Sequence, residues 1–175
     1  TDMQLLASGS SFHASDDILI SAGDNITQSA GNTLIAGDLI EFRGDTPDAD
    51  VQGTVTSLYG SVDAQRIDIY GNADDDVFNI EFAAIDGNTR LFGGAGDDDV
   101  FITNLASMTT VRAGVRDTFT VDGESGDDEF VVNLNGTSDV IINMFDSAKA
   151  DEGVDHLTIN GTETADQFLM RASAA

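Results

Sequence analysis

The chain of 175 residues contains no cysteine and no tryptophan, a single proline, and only 7 basic residues against 32 acidic ones. Without cysteine it can form neither a disulfide framework nor a thiolate metal site. The net charge of −25 leaves no basic patch to meet phosphates, so nucleic acid is an implausible partner. No apolar run is long enough to cross a bilayer and no signal peptide opens the sequence, so we expect no membrane insertion.

The acidic residues are mostly aspartates, 26 of them against 6 glutamates. Aspartate favours turns and caps, whereas glutamate favours helices, so this bias argues against an acidic helical protein. Adaptation to a salty medium would scatter acids over the surface. Here they form runs at 74–76, 97–99 and 127–129, which indicates a repeated position rather than a general surface property.

The clearest repeat is the segment 93–101, which reads Gly-Gly-Ala-Gly-Asp-Asp-Asp-Val-Phe. It fits the pattern G-G-x-G-x-D-x-U-x, in which U is a large apolar residue and the nonapeptide is a calcium-binding solenoid repeat. Glycines allow the sharp left-handed turn, and short aspartates supply the hard oxygen ligands that calcium prefers. The apolar residue then returns the chain to a buried strand.

Further copies follow the same order of residues. They start at Gly123, Gly71, Gly161 and Gly44, and the last is degenerate because Ala49 stands where the aspartate belongs. The five starts lie 27, 22, 30 and 38 residues apart along the chain. Such spacing predicts one acidic turn in each coil of a solenoid.

Alternating apolar residues flank these turns. They precede the turn at Ile40 and Phe42, Ile67 and Ile69, Phe119 and Val121, and Leu157 and Ile159, and follow it at Phe78, Ile80 and Phe82 and at Phe130, Val132 and Leu134. Period-two alternation predicts strands with one buried face, although either Val100 or Phe101 could face inward in the copy at Gly93. We therefore predict an all-β fold, a right-handed parallel β-helix of about six or seven coils stacked roughly 4.8 Å apart.

The first 43 residues carry a different short unit, with Ala-Gly pairs that begin at residues 22, 30 and 36. This segment resembles the repeats of filamentous-haemagglutinin-type secreted adhesins, which build long right-handed β-helices. We expect residues 1–175 to form a single β-solenoid domain, with haemagglutinin-like coils at 1–43 and acidic-turn coils at 44–175. We also expect the domain to be a fragment of a larger protein.

Stacked acidic turns bring like charges together. Two carboxylates at about 4 Å repel by about 1 kcal/mol in water and by several times that near a low-dielectric surface. Bridging calcium would offset this directly, whereas bulk salt only screens it. We predict that calcium binds the sixth-position aspartates and their neighbours, namely Asp74, Asp76, Asp97, Asp98, Asp99, Asp127, Asp128 and Asp166.

The stretches at Gly93 and Gly123 resemble the haemolysin-type, or repeats-in-toxin, calcium-binding nonapeptide of large secreted bacterial proteins. In that family tandem nonapeptides follow one another without gaps and calcium lies between the turns of a β-roll. This chain has one nonapeptide per 22–38 residues, so the compact β-roll does not carry over. The resemblance implies a calcium role chiefly for Asp98 and Asp128.

Catalysis is not expected. His13 and His156 are the only histidines, and neither lies in a nucleophile or zinc pattern. The composition and repeats favour a non-catalytic calcium-binding structural or adhesive module of a large extracellular bacterial surface protein, with a cell-surface glycan or protein as a possible partner. One alternative is a carbohydrate-binding or polysaccharide-lyase-like β-helix, which would need aromatics and arginines lined up on one face. Another is a salt-adapted rod with no specific metal, which sodium or potassium chloride would stabilise as well as calcium does.

Overall fold

The structure, a computed structural model, describes residues 2–5, 9–47, 51–103, 105, 117–136, 140–147 and 153–165. These residues form the strands β1 (Met3–Leu5), β2 (Ser11–Ala14), β3 (Ile18–Ser21), β4 (Ile26–Gln28), β5 (Thr33–Ala36), β6 (Leu39–Arg43), β7 (Val55–Leu58), β8 (Ser61–Ala73), β9 (Val77–Ile80), β10 (Ala84–Ala95), β11 (Asp99–Thr103), β12 (Thr118–Ser125), β13 (Glu129–Asn133), β14 (Ile141–Phe145) and β15 (His156–Asn160). No helix occurs in the described residues, and so none there could span a membrane.

Parallel pairing between successive coils builds the fold. One sheet has the order β1-β4-β7-β9-β11-β13-β15, and the other has β14-β12-β10-β8-β5-β2 with β3 and β6 beside that path. The long strand β8 continues around a corner, because its first residues pair with β5 and its later residues pair with β6. The predicted parallel β-helix is confirmed, as a solenoid of about 6 turns.

Each coil crosses from the second sheet to the first through one connection, and the acidic runs lie in that connection. Strand β10 ends at Ala95 and β11 begins at Asp99, so the central part of the nonapeptide spans the corner between the two sheets. Register is kept on both sides of this corner. Leu91 lies between Ile69 and Val121 in one sheet, and Val100 lies between Phe78 and Phe130 in the other. The acidic turns are therefore stacked directly over one another.

The core is a column of inward-facing side chains from both sheets. Its largest fully buried members include Phe42, Phe78, Phe82, Phe119, Ile67 and Ile69. The inward residue after the turn at Gly93 is Val100, which is 0% exposed, whereas Phe101 is only partly buried. The alternation predicted for β6, β8, β9 and β12 is thus the observed burial pattern. Leu134 departs from it, because it follows the end of β13 and is exposed.

The strand at Leu157 and Ile159 does not lie where the repeat predicted. It was expected to precede a turn at Gly161, but β15 pairs with β13 so that Leu157 lies opposite Phe130. A residue opposite Phe130 comes after an acidic turn, not before one. The prediction of a fifth acidic turn that begins at Gly161 is therefore wrong, and the residues just before His156 form that turn instead.

Candidate metal centre in the acidic turns

The stacked turns share one backbone conformation even where their residues differ. The second position is left-handed in four of the turns, with φ of 42° at Asp45, 107° at Asn72, 122° at Gly94 and 71° at Glu124. The fourth position is left-handed as well, with φ of 67° at Asp74, 130° at Gly96, 144° at Gly126 and 144° at Gly153. Left-handed backbone costs non-glycine residues energy, so the stacked neighbours must impose it on Asp74 and Glu124.

The first glycine of each turn makes room for the sixth-position aspartate. A Cβ atom at Gly71, Gly93 or Gly123 would lie closer than 3.0 Å to the Oδ2 atom of the aspartate five residues later. These three glycines do not have positive φ, so their role is steric rather than conformational. The first glycine and the sixth-position aspartate therefore form one steric unit in these turns, because a side chain at the glycine would displace the carboxylate.

The sixth-position residues form what we call the inner column, which consists of Asp76, Asp98, Asp128 and Asp155. Each carboxylate accepts a hydrogen bond from the backbone N–H one coil before it. The N–H of Asp76 donates to Asp98 Oδ1 at 2.9 Å, and that of Asp98 donates to Asp128 Oδ1 at 2.9 Å. The N–H of Thr54 likewise donates to Asp76 at 2.5 Å, and that of Asp128 to Asp155 at 3.1 Å.

The fifth-position residues form an outer column, Asp75, Asp97 and Asp127, whose hydrogen bonds run in the opposite direction. Each of these carboxylates accepts from the backbone of the following coil. The N–H of Asp97 donates to Asp75 at 2.9 Å, that of Asp127 donates to Asp97 at 2.9 Å, and that of Val154 donates to Asp127 at 2.7 Å. All three aspartates are exposed. Together, the two columns provide carboxylate acceptors for backbone N–H groups of the turns. The inner carboxylates bind the preceding coil, and the outer carboxylates bind the following coil.

The inner column contains carboxylate oxygens without a partner. Asp76, Asp98 and Asp128 are exposed by 1%, 0% and 1%, and in each the Oδ2 atom has no hydrogen bond. Burial raises the pKa of Asp98 to about 8 and that of Asp76 to about 6, although backbone hydrogen bonds to these carboxylates act in the other direction. Burial also raises the pKa of Asp128. The neighbouring charges that act on Asp98 all belong to aspartates, so each of them makes ionisation less favourable still.

The structure separates the residues predicted from the sequence. Asp76, Asp98 and Asp128 come together in the inner column, and Asp97 and Asp127 lie in the outer one. Asp74 occupies the left-handed fourth position, and Asp99 opens β11; neither takes part in the hydrogen bonds of the columns. Asp166 lies outside the described residues.

Two members of the stack were missed. Asp155 follows Asp128 in the inner column at a separation of 27 residues, and Thr54 precedes Asp76 at a separation of 22. In the degenerate copy the aspartate position therefore belongs to Thr54 and not to Ala49. Gly153-Val154-Asp155 repeats the Gly-x-Asp half of the motif, so that half alone is a signal in the sequence for the true fifth turn.

These donors fit a hard cation in part. Calcium takes six to eight oxygen ligands, which include carboxylates, backbone carbonyls and water. Among the described residues, three carboxylates have oxygens within 4.8 Å of one another in one group, Asp16, Asp17 and Asp38. That group is exposed and lies at another corner of the solenoid. The inner column instead supplies one unpartnered carboxylate oxygen per coil. An ion between two coils would thus complete its shell with carbonyls or water.

The basic residues lie away from this edge. All three that the structure describes, Arg43, Arg66 and Arg90, lie on the second sheet, where Arg66 and Arg90 both pair with the buried Asp68. Tyr70 stacks on Phe92 with centroids 5.2 Å apart, and the guanidinium of Arg43 lies 4.7 Å from the Tyr70 centroid. Strands β6 and β10 flank β8 on opposite sides, so both faces of the Tyr70 ring are covered. This ring is thus not an open platform for a sugar.

In comparisons with known proteins, no family model, no curated protein and no solved structure matches the chain.

Proposed function

We propose that this chain is a non-catalytic structural segment of a large extracellular bacterial protein, in which calcium bound along the inner column stiffens a β-solenoid rod. The observation that carries the proposal is the set of three buried, unpartnered Oδ2 atoms at Asp76, Asp98 and Asp128. A buried carboxylate without a counter-charge is strongly unfavourable, and it acquires either a proton or a cation.

Calcium is the cation that these oxygens suit. They are hard donors, they recur in successive coils, and a divalent ion between two coils would neutralise both carboxylates at once. The Oδ1 atoms are already committed to backbone N–H groups, so Oδ2 is the atom of each side chain that is left for an ion. No cysteine is present to favour a soft metal.

Binding of this kind couples folding to the surroundings. An ion that binds only the folded chain stabilises it by about 2.7 kcal/mol when its concentration is 100 times the dissociation constant. The unfolded chain does not bring these aspartates together, so the binding free energy is also folding free energy. A rod of this kind would be stable in the calcium-rich exterior. There it would act as a spacer or adhesive stalk within a longer chain, and its partner would be a cell-surface glycan or protein.

The test is a thermal unfolding series followed by circular dichroism. The protein is melted in chelator, in calcium, in magnesium and in sodium chloride at matched ionic strength. We expect calcium to raise the melting temperature well beyond the other salts. Asp98→Asn keeps an oxygen for the N–H of Asp76 but removes the charge, so it should lose most of the calcium response. Glu163→Gln removes the same charge from an exposed position and should keep that response.

An equal response to all salts, or the same calcium response in Asp98→Asn as in the wild type, would overturn the proposal. In the first case the acidity would serve a salt-adapted rod.

A further inference from the structure

The outer side of the second sheet carries a surface that we call the arginine face, which consists of Arg43, Arg66 and Arg90. These residues come from β6, β8 and β10, which are neighbours in the sheet, so three successive coils contribute one arginine each. Their side chains are exposed by 39%, 51% and 42%. The arginine face is thus a row of accessible cations that repeats once per coil.

The arginines carry more charge than their own ion pairs neutralise. Arg66 and Arg90 both pair with the buried Asp68. Arg43 pairs with Glu41 at 3.3 Å. One positive charge therefore remains among these five side chains. Arg66 contacts Asp68 through Nε, so this pair does not require the terminal amino groups of its guanidinium. Because a guanidinium has five N–H donors in a planar fork, the arginine face can bind further carboxylates.

The outer column offers carboxylates at the same interval. Asp75, Asp97 and Asp127 are exposed, and they come from three successive coils. Each of them accepts a backbone N–H through Oδ1, so Oδ2 takes no part in those bonds. Successive coils stack at about 4.8 Å, so the outer column and the arginine face have one common period. The two surfaces also lie near each other on the rod, because β10 carries Arg90 and ends two residues before Asp97.

A single symmetry operation brings these two surfaces together between two rods. A two-fold axis perpendicular to the rods, placed midway between the coils of β8 and β10, exchanges those two coils and also exchanges the coil of β6 with that of β12. In such a two-fold contact each pair of residues occurs twice. Each arginine then lies level with one aspartate of the second copy, and the pairs are Arg66 with Asp97, Arg90 with Asp75, and Arg43 with Asp127.

We propose that two copies of this chain pair side by side as antiparallel rods, with the arginine face of each against the outer column of the other. The net charge of −25 opposes this association over long distances. At physiological ionic strength charges are screened beyond about 8 Å, so the groups in contact decide the outcome. Exposed ion pairs are individually weak, so the dimer forms reversibly. The inner column takes no part in the contact, and the pairing is therefore independent of the proposed calcium binding.

Sedimentation equilibrium at physiological ionic strength tests the pairing, in chelator and again in calcium. The wild type should show a monomer–dimer equilibrium that high salt abolishes. Arg66→Gln leaves Arg90 on Asp68, and Asp97→Asn keeps an oxygen for the N–H of Asp127, so circular dichroism should show that both variants keep the β-sheet spectrum. Each variant should raise the dimer dissociation constant about two- to thirtyfold, because it removes an exposed ion pair twice per dimer.

These variants separate a specific contact from the effect of net charge. Asp97→Asn makes the chain less negative, so repulsion alone predicts tighter association, whereas the proposed contact predicts weaker association. Asp17→Asn is the matched control, because it removes an exposed carboxylate at another corner and should not weaken the dimer. Thr158→Glu has the net charge of Arg66→Gln but lies on the other sheet, so it should weaken the dimer less. Since Arg66 and Asp97 face each other, the double variant should associate no more weakly than the weaker single variant.

The outcomes also separate this proposal from the preceding one. A wild type that is monomeric at every concentration refutes the pairing, and so does a dimer whose dissociation constant changes less than about twofold in both variants. If the monomeric wild type binds polygalacturonate and Arg66→Gln does not, the arginine face serves an acidic polysaccharide and the pairing of rods is wrong. None of these results changes the calcium response of the melting temperature, on which the proposed function depends.

Discussion

The pairing of the first glycine with the sixth aspartate can be tested by adding one methyl group at Gly123. An alanine Cβ there would overlap Asp128 Oδ2, lie 2.8 Å from its Cγ, and lie 3.0 Å from Cζ of Phe130. These nearest atoms all belong to side chains. Because φ at Gly123 is not positive, alanine causes no backbone strain of its own, and the cost comes from displacement of the buried carboxylate and from crowding of Phe130.

The expected cost has two parts. Overpacking a well-filled interior by a methyl group costs about 1–3 kcal/mol. Moving Asp128 also breaks its hydrogen bond with the N–H of Asp98, and a bond to a charged group contributes about 1.5–3 kcal/mol. We therefore expect Gly123→Ala to lower the free energy of unfolding by about 3–5 kcal/mol, a large share of the 5–15 kcal/mol typical of a domain.

The assay is urea unfolding in chelator, carried out as a double-mutant cycle with Asp128→Ala. Removal of the carboxylate should reduce the cost of Gly123→Ala to about 1–2 kcal/mol, since the contact with Phe130 Cζ remains, and this gives a coupling energy of about 2–3 kcal/mol. Gly93→Ala is the comparison, because its Cβ would also lie 2.6 Å from the backbone oxygen of Gly123, which Asp98→Ala cannot remove. A coupling energy below about 0.5 kcal/mol at Gly123 would refute the steric account of the repeat.

Three further results are expected. Glu124→Gly should raise the free energy of unfolding in chelator by about 1 kcal/mol, since φ of 71° strains a non-glycine residue, and an unchanged urea midpoint would contradict this. The pKa of Asp98 is raised from 3.8 to about 8, so the folded state binds the Asp98 proton more tightly than the unfolded state does. The stabilising contribution of this protonation is therefore complete below about pH 4 and is lost as the pH rises through 8. The melting temperature in chelator should therefore fall across this window more steeply in the wild type than in Asp98→Asn, and equal slopes would show that Asp98 is not the group responsible. Arg90→Met keeps the aliphatic stem but removes hydrogen bonds of 2.9 and 2.8 Å to the buried Asp68. It should lower the free energy of unfolding in urea by about 2–3 kcal/mol. A decrease below about 0.5 kcal/mol would mean that Arg66 alone satisfies that carboxylate.

Much of the fold could be predicted because stacking imposes simple patterns on the sequence. Ile67 and Ile69 face the core from one strand, and period-two alternation is enough to show it. The separations of 22 and 30 residues between acidic turns are also those between Asp76 and Asp98 and between Asp98 and Asp128 in the inner column. Each coil must return to the same corner, so the length of a coil can be read from the distance between its turn residues.

The repeat failed where a different residue fills a position of the turn. The repeat pattern requires a glycine at its first position. It therefore does not match the coil in which Asp146, the residue after Phe145, stands level with Gly123, and it matches a later glycine instead. Likewise it could not show that Glu124 adopts a left-handed conformation, because the stacked neighbours impose that conformation rather than the residue itself. The sequence pattern gives no direction to the hydrogen bonds, so it groups Asp97 with Asp98. The Asp98 carboxylate accepts from Asp76 in the preceding coil, whereas the Asp97 carboxylate accepts from Asp127 in the following one.

The contrast between the two columns bears on why the buried position is an aspartate. Acceptance of a backbone N–H does not require a charge, because an asparagine oxygen would do the same without the cost of burying an anion. The exposed outer column ends at Val154, whose side chain cannot accept a hydrogen bond, whereas the inner column continues to Asp155 in the same turn. At this end of the stack the exposed position has no charge, whereas the partly buried Asp155 keeps one; at the other end the inner position is the uncharged Thr54. Backbone capping alone does not explain the fully buried carboxylates of Asp76, Asp98 and Asp128, whereas the cation proposed for the inner column would.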